Sequence, residues 1–292
     1  MHLETLKVFC DVVESRSFSA AASQNFVTQS AVSQQVRMLE DRWGRRLLER
    51  ARGNVQLTPA GDILYQASKE IVQRFKDMEG QLRAASKVVS GSVRVATVHS
   101  VGLYELSASL KRYLKAFPQV QLNLEYGRSN KIYEDALSGQ IDLGIVAFPN
   151  RRAGITIIPF RQDRLVLVTP PGHPLARHRS VAVRKLSGES LVGFERDIPT
   201  RKETDRVLRR HRAEVRYVME LDNIETIKRV VEIGHGLALL PEASVRPEVA
   251  MKTLAQVQLA DETLWRPLGI IHRQGKHFSP AAEKFIEFLQ AE

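Results

Sequence analysis

Three absences narrow the field before any motif is read. The 292-residue chain carries one cysteine, Cys10, which excludes an intramolecular disulfide framework and a cysteine-rich zinc site. Cys10 stands at helical spacing with Leu6, Phe9 and Val13, the pattern of a buried core thiol rather than a redox sensor. No stretch approaches the ~20 apolar residues that a membrane helix requires. The N-terminal MHLETLKVF has no basic segment leading into a long apolar run, so the expected location is cytoplasmic, with no membrane partner. Reaction-centre motifs are missing as well: H-E-x-x-H, G-x-x-x-x-G-K-[ST] and G-x-S-x-G do not occur. The GHG at Gly234 to Gly236 is too short for a dinucleotide fingerprint and suits a helix C-terminal turn. His173 and His178 have Pro174 between them and no third ligand, so no metal is expected. An enzyme and a cofactor are therefore not expected.

What is present is a basic, globular composition. The formal charge is +10, from 43 Lys and Arg against 33 Asp and Glu, and 43% of residues are hydrophobic. That balance suits a polyanionic partner, although much of the excess lies beyond residue 150, at Arg151, Arg152, Arg161 and Arg164 and again through Arg201 to Arg216. The length exceeds what one core organises, which implies a small domain and a larger, divisible one.

The stretch Ser17 to Thr58 has the pattern of a DNA-reading unit. Ser19 can cap a short helix, Ala20, Ala21 and Ala22 allow a second helix to cross closely, and Asn25 tolerates a left-handed turn. The second helix, capped by Thr28, turns Val32, Val36 and Leu39 inward. Gln29, Ser30, Ser33, Gln34 and Arg37 recur on its other face, with no carboxylate before Glu40. A merely solvated face mixes signs, whereas amide, hydroxyl and guanidinium groups are the types that bond base edges and phosphates. Arg42, Arg45, Arg46, Arg50 and Arg52 follow, and a Gly53-Asn54 pair can turn a hairpin wing that brings Arg50, Arg52 and Asn54 to the phosphate backbone.

FSAAAS, VTQSAVSQQV, MLE and LTPAG together resemble the N-terminal signature of the LysR-type transcriptional regulators. The resemblance continues through SGQIDLGIV, GHPLA and VVEIGHGLALLPE, so it spans nearly the whole chain. Two positions depart from the commonest pattern, which has a proline at Ser30 and an arginine at Gln34; the departures bear on the operator sequence, not the fold. The resemblance implies an α/β protein with an N-terminal winged helix-turn-helix, a long linker helix and two α/β subdomains similar to periplasmic solute-binding proteins. The expected domains are 1–58 for DNA binding, 59–90 for the linker, and 91–292 for effector binding, the last divided into 91–161 plus 266–292 and 162–265.

Between Asp62 and Glu79 no proline or terminating glycine breaks the helical pattern. Leu64, Ile71, Phe75, Met78, Leu82 and Ala85 alternate in steps of four and three, a coiled-coil seam that asks for a second copy. Pairing there gives a homodimer on double-stranded promoter DNA, and the resemblance adds a homotetramer and RNA polymerase as candidate partners. From Val93 the pattern alternates strands (VRVAT, VQLNLEY, IDLGIV, RLVLVT) with helices at Leu103 to Phe117 and Lys131 to Gly139, implying a parallel-type sheet. A second set follows: LVGFE, a helix over Lys202 to His211, VRYVMEL, a helix over Ile224 to Ile233, and LALLPE; PLGIIHR and a helix over Pro280 to Gln290 close the chain.

Ligands of open α/β sheets collect at the carboxyl ends of strands. Those ends carry Val98, His99 and Ser100; Arg128 and Ser129; Phe148; Thr200 and Arg201; and Ile224. By resemblance, Ser100, Ser129 and Thr200 match positions where the family places effector-holding hydroxyls, while Val98 stands where many members carry another. Ser100 and Thr200 are equally suited to capping helices, and the arginines to solvated surface. Hydroxyls, helix N-termini and arginines converging on a cleft favour a small anionic metabolite. An effector-responsive regulator thus stands first. A constitutive or architectural DNA-binding protein is the alternative, and a solute-binding or enzymatic protein with an incidental N-terminal domain fits least.

Overall fold

The structure, a computed structural model, describes residues 2–51, 54–84 and 89–291, and for residues 50, 51, 54, 76, 77 and 80–84 the backbone alone. The chain forms two compact units, Met1–Val88 and Val89–Glu292.

In the first unit, α1 (Leu3–Ser15) lays Leu6, Phe9, Cys10 and Val12 into a core shared with α2 (Phe18–Gln24) and α3 (Gln29–Trp43). The cap of α2 is Ser17, not Ser19: Ser17 has the extended backbone that a cap needs and its hydroxyl accepts from the Ala20 amide at 3.2 Å, whereas Ser19 is already inside the helix. The left-handed residue of the turn is Phe26 (φ 56°), not Asn25. Asn25 instead ties the turn to α1, donating to Asp11 and to the Ala21 carbonyl at 2.7 and 2.9 Å and accepting from Lys7 at 2.7 Å. Thr28 caps α3 as expected, its hydroxyl accepting from the Ala31 amide, and Val32, Val36 and Leu39 are buried.

The wing is an antiparallel pair, β1 (Leu48–Ala51) and β2 (Asn54–Leu57), and the Glu40 carboxylate anchors it by accepting from the Leu47 amide at 2.8 Å. Ala51 pairs with Asn54, so Asn54 belongs to the second strand rather than to the turn; Arg52 and Gly53 lie outside the described residues. Thr58 caps α4 (Pro59–Ala84), its hydroxyl accepting from the Gly61 amide at 2.9 Å. Gly61 is required there, because a Cβ would stand 1.9 Å from the Leu47 carbonyl oxygen.

The second unit begins with β3 (Gly91–Thr97), and the single helix expected over Leu103 to Phe117 is two, α5 (His99–Tyr104) and α6 (Ser107–Ala116). They are followed by β4 (Val120–Tyr126), α7 (Ser129–Leu137), β5 (Leu143–Ala147) and a long β6 (Ile155–Thr169). After β7 (Ser180–Val181) come β8 (Ser190–Phe194), α8 (Pro199–Arg210), β9 (Arg216–Leu221), α9 (Ile224–Glu232) and β10 (Ala238–Pro241). The chain closes with α10 (Glu242–Ala250), β11 (Ala255–Leu259), β12 (Trp265–Arg273) and α11 (Pro280–Gln290).

The sheet is mixed, which corrects the parallel-type expectation. Its order is β4-β3-β5-β12-β6-β11-β7, with β10 also on β6, while β8 and β9 form a separate parallel pair. β3 is parallel to β4 and β5, but β12 is antiparallel to both β5 and β6. The reason is connectivity: β6 leaves the first subdomain and β12 returns to it, so the two crossing strands run opposite ways. The expected strand at Arg164 to Thr169 is only the far end of β6, because Pro159 sits in its first half and reads as a break in the sequence. Gly269, facing Pro159, marks a register shift. The first subdomain buries Val95, Leu143, Ile145, Ile270 and Phe285; the second buries Leu167, Leu191, Leu239 and Val257 on one side and Ile227 and Val231 on the other.

Candidate functional site

On α3 the sequence pattern becomes a surface. Gln29, Ser30, Gln34 and Arg37 are exposed and Ser33 is half-buried, while the opposite face forms the core. The fringe is loosely self-bonded: the Thr28 and Ser30 hydroxyls are 2.9 Å apart, and Gln29 donates to Ser33 at 3.4 Å. Arg37 has no carboxylate partner among the described residues and lines a groove with Ser33, Glu40 and Arg46 that runs towards the wing. Arg50 and Asn54 lie on the wing strands by backbone, their side chains outside the described residues, as is the whole of Arg52.

Along α4 the seam divides. Leu64 packs, with Tyr65 and Val72, against the unit's own core. Ile71, Phe75 and Met78 are 46%, 40% and 43% exposed; the Leu82 side chain and Ala85 lie outside the described residues.

A cleft of about 160 Å³ opens within the second unit at the carboxyl ends of the strands. The first subdomain lines it with Val98, His99 and Ser100 after β3, Gly127 to Asn130 after β4, and Ala147 at the end of β5; the second supplies Phe194, Asp197 to Thr200, Asp222 and Ile224. The structure thus brings together Val98, His99, Ser100, Arg128, Ser129, Thr200 and Ile224. Phe148 is elsewhere: its backbone is left-handed (φ 50°), its amide donates to the Pro267 carbonyl at 2.7 Å, and its ring packs on the first subdomain's core. Arg201 is also elsewhere. It is 4% exposed, donates to Asp205 at 2.9 Å and to the Phe194 carbonyl at 2.7 Å, and lies 3.4 Å from the Tyr217 ring centroid. Its charge supports the second subdomain rather than the cleft.

Chemically the cleft is mixed. The first turns of α7, α8 and α9 face it, and α7 and α8 have no side-chain cap, a setting that favours negative charge. The Ser129 and Thr200 hydroxyls have no hydrogen-bond partner among the described residues. Arg128, at the mouth, reaches from the first subdomain to Glu195 at 2.6 Å, Asp222 at 3.4 Å and Asp197 at 3.5 Å on the second. Glu195 first, then Asp222, holds its guanidinium above the ordinary arginine pKa. Asp222 stands at a strand end that the sequence marks, but Glu195 and Asp197 escaped the sequence reading because a search for anion partners passes over acidic residues; their placement after β8 was the available signal.

Behind the cleft, Lys228 of α9 is buried and donates to the Tyr104 hydroxyl at 2.5 Å, to Glu248 at 2.7 Å and to the Ser244 carbonyl at 3.1 Å, while Tyr104 bonds Glu225. The network joins α5 of one subdomain to α9 and α10 of the other. Burial and the bond to Glu225 push the Tyr104 pKa up to about 12. Burial alone would lower that of Lys228, but Glu248, Tyr104 and Glu225 outweigh it and raise it. Among the described residues no group of three or more His, Cys, Asp or Glu could hold a metal, and no helix is long and apolar enough to cross a membrane.

A winged helix-turn-helix in one unit and a two-lobed, ligand-sized cleft in the other define a DNA-binding regulator with a sensory domain. Comparison with known proteins makes this specific. The family model for the bacterial regulatory helix-turn-helix protein of the lysR family matches residues 3–62, and that for the LysR substrate binding domain matches 86–292. The chain belongs to the LysR family of transcriptional regulators, and its relatives are named as regulators, not enzymes. It is 30% identical to the RuBisCO operon transcriptional regulator of Allochromatium vinosum, over 99% of this chain and 96% of that one. It is 27% identical to the transcriptional regulator CysL of Bacillus subtilis, over 100% and 97%. Among solved structures, a full-length OxyR variant from Pseudomonas aeruginosa has a TM-score of 0.79 at 22% identity, covering 100% of this chain and 94% of that one. The Synechocystis CcmR regulatory domain in complex with 2-PG has a TM-score of 0.64 at 23% identity, covering 69% of this chain and 97% of that one.

Proposed function

We propose that this regulator reads promoter DNA through Gln29, Ser30, Ser33, Gln34 and Arg37 of α3, with Arg50, Arg52 and Asn54 of the wing on phosphates, and that a small anion in the cleft modulates it. Copies pair through Ile71, Phe75, Met78 and Leu82 of α4, which sets two recognition helices on one pseudo-palindromic site. The observation that carries the effector reading is the convergence of the Ser100, Ser129 and Thr200 side chains, the Arg128 guanidinium and two uncapped helix starts on one small cleft. The 2-PG held by the CcmR domain, which has the same fold, supports a small-molecule occupant.

One observation favours the alternative of a constitutive DNA-binding protein: Arg128 already faces three carboxylates, so an incoming anion has to displace them. A thermal-shift screen of inorganic phosphate, sulfate, acetate and glycolate, followed by footprinting on promoter DNA, separates the two. Stabilisation by mass action together with an altered footprint is expected; an unchanged melting curve and footprint with every anion favours the constitutive reading.

A further inference from the structure

We infer that Arg266, which does not line the cleft, orients the Ser100 hydroxyl to donate and so favours an acceptor over a donor on the ligand at that point, such as an oxygen of a carboxylate, phosphate or sulfur oxyanion. This rests on the cleft being an effector site and adds the chemistry of one of its contacts. Arg266 of β12 stands directly opposite Asp163 of β6 in the ladder of the two crossing strands. It is 1% exposed, and its guanidinium is locked by donating to Asp163 through Nε at 2.8 Å and Nη2 at 2.5 Å. The remaining arm, Nη1, donates to the Ser100 hydroxyl at 2.8 Å.

Guanidinium has donors only and keeps its proton, so in that bond the Ser100 oxygen can only accept. A hydroxyl has a single hydrogen. The Ser100 hydroxyl makes no other hydrogen bond among the described residues, and Ser100 lines the cleft, so its O–H is left to donate towards the ligand. An ammonium at the same place would have to share the Ser100 lone pairs with a fixed cation behind them. Arg266 is therefore a positioning residue acting through Ser100, held by the strands that join the two subdomains.

The test is calorimetric titration of the full-length chain with inorganic phosphate, sulfate, acetate and, as a donor-only probe, methylammonium. The wild type is expected to bind at least one oxyanion and not methylammonium; the arm that responds tells phosphate, sulfate and carboxylate apart. Ser100→Ala is expected to weaken that oxyanion about tenfold, and Arg266→Lys, which keeps the charge beside Asp163 but loses the third arm, by about three- to tenfold. In the Ser100→Ala background Arg266→Lys is expected to cost nothing further, a non-additivity that a merely structural role would not produce. Should Arg266→Lys fail to fold, Arg266→Gln combined with Asp163→Asn removes both charges and is compared in the same two backgrounds. An unchanged Kd for the Arg266 variants, or an equal loss with and without the Ser100 hydroxyl, overturns the inference and leaves the effector reading standing. Binding of no oxyanion by the wild type overturns both.

Discussion

At the scale of single residues, the proposed DNA contacts fall into two kinds with different signatures, base edges for α3 and phosphates for the wing. A bidentate amide or guanidinium on a base edge discriminates by about 1–3 kcal/mol, so Gln34→Ala or Arg37→Ala is expected to lower the ratio of operator to random-duplex affinity about tenfold or more. Arg52→Ala is expected to weaken both duplexes alike and to reduce the salt slope by about one. Filter binding on both duplexes over a salt series checks this, and equal losses for all three variants would refute the division. In the second unit, Asp142 is buried between Arg94 at 3.0 Å and Lys276 at 2.9 Å. Burial pushes its pKa up, but Lys276 and Arg94 outweigh that and hold it below the ordinary carboxylate value. A depressed pKa contributes stability that is complete above the unfolded-state value and is lost as pH falls through the folded-state value. Asp142→Asn is therefore expected to cost about 2–3 kcal/mol at neutral pH in urea unfolding, with the gap to wild type closing in acid. A gap independent of pH would show that the ion pair is not its source. Legibility at this scale was uneven. The outward and inward faces of α3 followed from periodicity alone, whereas Ser17 and Ser19, or Arg128 and Arg201, differ only in backbone geometry and tertiary partners, which residue type does not encode.

At the scale of elements, α4 shows how far periodicity carries. Its start after Thr58 and its apolar spacing were visible in the sequence, but spacing could not say that Leu64 serves the unit's own core while Ile71, Phe75 and Met78 stay exposed. That split sharpens the expectation for self-association. Phe75→Glu puts a charge into the exposed stretch and not into the core, so the variant is expected to fold, to halve its mass in sedimentation equilibrium, and to lose operator affinity through lost avidity. An unchanged mass would remove the seam as the contact between copies. The crossing strands were less legible: Pro159 disguises the first half of β6, and α10 contains Pro247, a residue that usually ends a helix. In both cases tertiary pairing overrides a strong local signal.

At the scale of the whole molecule, regulation requires an equilibrium that a ligand can bias. Within the second unit the two subdomains are bridged at the mouth of the cleft by Arg128 with Glu195, Asp197 and Asp222, and behind it by Tyr104, Lys228, Glu225 and Glu248. At the heart of the rear network Lys228 and Glu248 are buried against each other; the front one is half-exposed and sets one cation against three carboxylates. The front bridge is therefore the part a ligand can replace, and an anion there has to gain more from Arg128, the hydroxyls and the helix starts than the carboxylates give up. Arg128→Gln removes the cation that the three carboxylates use and that the proposed anion would use. It is expected to weaken inorganic phosphate at least tenfold and to raise amide exchange in the first turns of α7 and α8 in the free protein. Lys228→Met removes the cation of the buried bridge and is expected to lower the melting temperature of the ligand-free chain far more than Arg128→Gln does, since it leaves Glu248 unpaired in the interior. If the two variants proved equally destabilising, or if exchange in α7 and α8 stayed at the wild-type rate in Arg128→Gln, the mouth of the cleft would not be the movable contact, and control of DNA binding would have to start elsewhere in the fold.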